Sequence, residues 1–136
     1  MTTTSDWLYK NEPFLEPGEN YGFVYIITNK TNGRQYIGKK FFWSSKRRQV
    51  NKVRKRYKIE SDWKDYWSSS DELKEDVAKF GKENFTREIL HLCKTKGVTN
   101  YLEVKEQIFK EVLENKDGWY NTWIIVRVNR SHLSKL

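Results

Sequence analysis

The chain has 136 residues, with 26 Lys and Arg against 18 Asp and Glu, and a formal net charge of +8. That length suits one compact core, and no apolar run approaches the roughly 20 residues of a membrane span. Cys93 is the sole cysteine, and His91 and His132 are the only histidines. This excludes an internal disulfide and any Cys-rich or His-built metal cage, and it fits a reducing, cytoplasmic setting. The opening MTTTSDWLYKNEP lacks the basic-then-apolar pattern of a secretory signal.

The charge is unevenly distributed. From 20 to 59 there is no acidic residue, and those 40 positions hold twelve basic ones. The remaining residues carry a net charge of −4, by 14 basic minus 18 acidic. A block polarised in this way is the footprint of a face that meets a polyanion, or else a solvated basic loop.

In chain order, residues 1–20 read as an N-terminal extension. Pro13, Pro17 and Gly18 interrupt regular structure there, while Trp7, Tyr9, Phe14 and Leu15 anchor it to the body. Residues 22–28, GFVYIIT, are β-branched and aromatic and predict a strand. Asn32-Gly33 supplies the turn, and QYIG at 35–38 returns as the second strand of a hairpin. This places Tyr25 and Tyr36 on neighbouring strands. Residues 39–60 are basic, and 44–56 read either as a long exposed loop or as a second hairpin.

Ser70 is an N-cap for DELKEDVAKF, with Gly81 as its stop, which predicts a helix over 71–80. Residues 84–93, NFTREILHLC, predict a third strand, in which His91 and Cys93 are ordinary strand residues. A second helix is expected over 100–114, with Asn100 and Glu103 as a capping box. Residues 119–128 read as a final strand or extended segment. The fold class is therefore α+β, with a small, mostly antiparallel three-stranded sheet flanked by helices and a basic insertion after the second strand.

The second helix has an apolar stripe of Leu102, Phe109 and Leu113, opposite a face with Glu103, Gln107, Lys110 and Glu114 that reads as solvent-facing. Glu106 falls within the apolar stripe, where a carboxylate needs a cation, a metal or a donor. A structural Lys or Arg at the edge of the core would also satisfy it. The tyrosine pair is open in the same way, because aromatic cross-strand pairs commonly stabilise hairpins.

The segment Gly22-Phe23-Val24-Tyr25, followed by Asn32-Gly33 and Tyr36-Ile37-Gly38-Lys39, resembles the GIY-YIG nuclease family. Ten residues separate the two tyrosines. The first motif departs from pattern, because it reads Phe23-Val24-Tyr25 with Gly22 displaced by one. The resemblance continues through SSSDELKEDVAKFGKENFTREIL and Glu106-Gln107-Ile108-Phe109 to Tyr120-Asn121, covering about residues 22–124.

The resemblance implies a metal-dependent endonuclease of homing or phage type that hydrolyses phosphodiester bonds in double-stranded DNA. Glu106 would hold one Mg2+ or Mn2+ ion. Tyr36 or Tyr25 would orient or deprotonate the attacking water, and Asn121 would brace the site. The arginine expected after the second motif has several candidates, of which Arg48 is chosen. Lys39, Lys40, Lys46, Arg47, Arg54, Lys55 and Arg56 would contact the DNA backbone. Trp43, Tyr57, Trp63 and Trp67 would stack on bases or pack in the core. A single active site implies self-association or sequential nicking for duplex cleavage, and a chain of this length would find its DNA without a separate binding domain. The rival reading is an inactive nucleic-acid-binding module on the same fold.

Overall fold

The computed structural model describes residues 6–50, 53–134 and 136; the side chains of 46–50 and 53–57 lie outside the description. Strand β3 (Gly22–Asn29) is an interior strand of the main sheet, paired on both sides, and its run of apolar residues follows from that position. Side chains alternate along a strand. Phe23, Tyr25 and Ile27 therefore enter one core cluster, while Val24 and Ile26 enter the other. Strand β4 (Gln35–Phe41) pairs antiparallel with β3 through the Asn32-Gly33 turn and forms one outer edge of the sheet.

The sheet has five strands, not the three expected, in the order β2-β1-β7-β3-β4. The extra two come from the segment read as an extension: β1 (Trp7–Tyr9) and β2 (Glu12–Pro13). Lys10 and Asn11 take positive φ to turn the chain between them. Strand β1 pairs parallel with β7 (Phe85–Cys93), whereas the other pairings are antiparallel. Burial of Trp7, whose indole donates to the Trp63 carbonyl at 2.7 Å, gives this short strand its hold.

Residues 39–60 resolve in favour of a second hairpin. Strands β5 (Trp43–Val50) and β6 (Val53–Glu60) form their own two-stranded sheet, which carries seven of the twelve basic residues of the acid-free block.

Helix α1 (Asp71–Phe80) forms as expected, with the Ser70 hydroxyl accepting from Leu73 N and Gly81 ending it at φ 91°. Leu73 and Val77 pack on the cluster containing Tyr25. Helix α2 (Lys96–Phe109) starts earlier and ends earlier than 100–114. Its N-cap is Thr95, not Asn100, so the expected capping box is absent. It ends where Glu111 adopts φ 55° and Val112 N bonds back to Gln107 O, which folds Val112 into the second cluster. The expected final strand at 119–128 reduces to one bridge, Trp119 to Gln35, with the rest in no strand. It still has a structural use, because residues 118–121 cover part of the β4 edge.

Candidate active site

Tyr25 and Gly38 are partners across the β3–β4 pair, and Tyr36 pairs with Ile27 two positions along. The Tyr25 ring fills the space that a side chain at 38 would occupy. A Cβ there would collide with the Tyr25 hydroxyl and lie 2.7 Å from Tyr36 Cε1. The two rings lie 6.2 Å apart, tilted by 31°. Opposite Tyr25, a bulge in β7 shifts the register between Val24 and Tyr25. Gly22 also needs its lack of side chain, because a Cβ would stand 2.9 Å from Phe41 and 3.0 Å from Lys40 O.

The two phenols differ in access. Tyr25 is fully buried, with Trp7 at 5.1 Å and Tyr66 at 6.1 Å. Burial, then the neighbouring Tyr36, Tyr66 and Glu103, pushes its hydroxyl well above the usual tyrosine range. Tyr36 reaches a cleft, and its hydroxyl shares a 3.2 Å hydrogen bond with Ser69 Oγ. Burial raises its pKa, a shift opposed by Ser69 and reinforced by Glu103. Ser69 is presented by Ser68, a buried non-glycine residue at φ 86° whose hydroxyl accepts from Ser70 N. A left-handed serine next to the cleft is local strain retained by its surroundings.

Strand β4 is an edge strand, so side chains from its two faces converge around it. Lys39 points toward α2. Its ammonium donates to Asn100 Oδ1 and lies 3.6 Å from the Glu103 carboxylate. Glu103 is only 13% exposed, and burial raises its carboxyl despite the Lys39 charge. Tyr36, Lys39, Ser69, Glu103 and Gln107 line one cleft of about 290 Å³, together with Trp123 and Ile125. Tyr36 also borders a second recess of about 280 Å³ with Ser69, Ser70, Asn121 and Trp123.

Asn121 ties the edge of β4 down. Its Oδ1 accepts from Ile37 N at 3.1 Å, and its Nδ2 donates to Ile37 O at 2.8 Å. Gln107 Nε2 donates to the same carbonyl at 3.0 Å. An edge strand has no neighbour to satisfy its backbone, and these two amides do so. Beside them, Tyr120 donates to Asp76 at 2.6 Å and accepts from Asn29 Nδ2 at 3.0 Å.

A family model described as "Putative endonuclease segE, GIY-YIG domain" matches residues 7–124. The chain belongs to the GIY-YIG family. No curated protein and no solved structure matches it. The match starts at the first residue of β1 and ends just past Trp123, so it takes in the N-terminal strands, the tyrosine hairpin and the edge-covering segment.

Within this GIY-YIG domain the expected residues are distributed unevenly. Tyr25, Tyr36, Lys39 and Asn121 gather around β4. Glu106 does not line the cleft. Its carboxylate meets His91 Nε2 at 3.1 Å and Lys110 Nζ. Burial works to raise it, but Lys110 and His91 together hold it below the ordinary value. Its placement follows from the face of the helix. Thr99, Glu103 and Gln107, four apart, turn inward beside the apolar Val98 and Val104, while Phe109 is 83% exposed and Leu113 also lies outward. Glu103 was legible only as a member of that i, i+4 series.

Lys40 pairs with Asp62 at 2.7 Å and lies over the Tyr66 ring. The side chains of Lys46, Arg47, Arg48, Arg54, Lys55, Arg56 and Tyr57 fall outside the description; by register Arg48 stands opposite Lys55 on the second hairpin. Trp63 and Trp67 are buried in the core and so do not stack on bases. Trp43 is half-buried under Lys58. Arg34, not singled out earlier, binds Glu72 at the second recess at 3.0 Å and stacks on Tyr120. No helix among the described residues is long and apolar enough to cross a membrane.

Proposed function

We propose that this GIY-YIG domain is a metal-dependent DNA endonuclease of homing or phage type in which Glu103, and not Glu106, is the metal-binding carboxylate. The observation that carries this reading is the convergence of Glu103, Tyr36 and Lys39 on one cleft. The donor set suits a hard divalent ion such as Mg2+ or Mn2+. Mg2+ keeps several waters and takes one or two carboxylates, and the cleft offers one confined carboxylate beside hydroxyl groups. Among the described residues, no group of three His, Cys, Asp or Glu side chains forms a larger cage. When bound, such an ion supplies Lewis-acid polarisation of a phosphate.

The remaining work falls to side chains. Tyr36 borders the cleft and orients the attacking water through its hydroxyl, with Ser69 fixing the rotor. Its raised pKa keeps the phenol protonated at neutral pH, so its hydroxyl orients the water by hydrogen bonding. Tyr25, sealed in the core, sets the position of Tyr36 and does not touch substrate. Lys39 meets phosphate charge from the cleft floor. Arg48 is assigned to the phosphate from β5, and Lys40, Lys46, Arg47, Arg54, Lys55 and Arg56 to backbone contacts. Cleavage of both strands takes two copies or two successive nicks.

Plasmid nicking with Mg2+ or Mn2+ tests this reading. Wild type and Glu106→Gln are expected to nick, while Glu103→Gln loses at least about 100-fold in rate. A wild type that binds but leaves plasmid intact across metals and salts supports an inactive binding module. An active Glu103→Gln with a dead Glu106→Gln returns the metal to Glu106.

A further inference from the structure

Six tryptophans serve a chain of this size, and all but one are accounted for by packing. Trp7, Trp63 and Trp67 are core, and Trp43 and Trp119 are half-buried. Trp123 is 69% exposed. Slack in the chain does not explain this. Two residues earlier, Asn121 is clamped to Ile37, and one residue later Ile124 packs on the second core cluster. The backbone is held on both sides, and the indole is presented at the surface.

Its position is specific. Trp123 lines both recesses that flank Tyr36, together with Ser69 in each case and with Glu103 in one. The strand of chain that carries it is also free of acid. After Asp117 no Asp or Glu follows, while Arg127, Arg130 and Lys135 do. No carboxylate of that segment repels a nucleic-acid strand laid along it.

We propose that Trp123 is the stacking platform for a nucleobase of the strand whose phosphate lies in the Tyr36–Glu103 cleft. The position of that phosphate rests on the nuclease reading above. A phosphate beside Lys39 and Tyr36 carries the base of an adjoining nucleotide past the cleft wall. An exposed indole there offers a π face that accepts any base. Trp123 thereby positions the strand and takes no part in the chemistry.

Stacking adds affinity without releasing counterions, so its loss separates from that of a charge contact by salt dependence. The test uses the full chain in EDTA, with a fluorescein-labelled 30-base-pair duplex and a labelled 30-nucleotide oligo-dT as probes. Trp123→Ala is expected to bind at least one probe about 10-fold more weakly. The slope of log K against log salt should stay unchanged. Trp123→Phe should recover most of the loss, and both variants should melt with wild type. Binding of Trp123→Ala within twofold of wild type on both probes overturns the proposal. So does an equal loss in the Ala and Phe variants, or a changed salt slope. A wild type that binds DNA through Trp123 and never cuts it keeps Trp123 as a stacking platform and removes the nuclease reading. A wild type that cuts, with Trp123→Ala binding normally, does the reverse.

Discussion

The ring of Tyr25 lies over Gly38, its partner across the hairpin, and the missing side chain at 38 is what lets the two phenols approach. Sequence motif and geometry are thus one constraint. Gly38→Ala should push the Tyr25 hydroxyl out and shift Tyr36 with it. A misplacement of about 1 Å costs on the order of 100-fold in rate, and overpacking costs about 1–3 kcal/mol. Nicking rates and thermal melts of the variant check both effects. A variant with wild-type rate and melting would show that the rings do not depend on this position.

The two glutamates of α2 should respond to pH in opposite directions. Glu103 is held above its ordinary value by burial, so its ionised form is the disfavoured one in the fold. Its contribution to stability is complete below the unfolded value and is lost as pH rises through the raised one. Glu103→Gln should therefore be more stable than wild type at neutral pH, by about 1 kcal/mol, and should lose that advantage in acid. Glu106 is held below its ordinary value by Lys110 and His91 against its burial. Its contribution is present above the unfolded value and is lost as pH falls through the lowered one. Glu106→Gln should be less stable than wild type at neutral pH, by less than about 1 kcal/mol, with the gap closing in acid. Urea unfolding across pH 3 to 8 reads both; parallel curves for the two variants would contradict the assignment of their environments.

Asn121 is expected to act through the backbone it ties. Asn121→Ala removes the partner of Ile37 N and one of the two donors to Ile37 O. Leaving a buried donor unpaired costs about 1–3 kcal/mol. Asn121→Asp restores the acceptor but sets an oxygen against the Ile37 carbonyl, so it should not rescue. Chemical denaturation of both variants measures this, and full rescue by Asp would mean the carbonyl contact is dispensable.

Binding to DNA should fall steeply with salt. Log affinity declines with log salt by about 0.9 per phosphate neutralised on duplex. Replacing Lys46, Arg47, Arg48, Arg54, Lys55 and Arg56 by glutamine should flatten that slope by several units. An unchanged slope would remove the second hairpin from the interface.

The tyrosine hairpin and α1 were readable because each carries local signals that agree with its fold: an Asn-Gly turn between apolar runs, and Ser70 and Gly81 at the two ends of one helix. The β1 pairing was not, since three residues joining β7 from about 80 positions away leave no local periodicity. The inward face of α2 was misread for a different reason. Pattern reasoning takes the buried side of a helix to be apolar. Here α2 packs against an edge strand whose backbone wants partners, so Gln107 faces in to bond Ile37 O and Glu103 faces in beside Lys39. Phe109 is left outside.

The parallel pairing of Trp7 with Arg87 also sets an order of assembly. During synthesis, β1 emerges first but has no strand to join until β7 is made. At 5–20 residues per second that is an interval of about 4–16 s. Throughout it, Trp7 and its aromatic neighbours stay exposed while the β3–β4 hairpin can already close. The N-terminal segment is therefore the last piece of the sheet to dock, and the sealed surroundings of Tyr25 are completed only then. Nascent chains cut short before β7 should carry the hairpin without its closing strand, and aggregation in this protein should begin from that state.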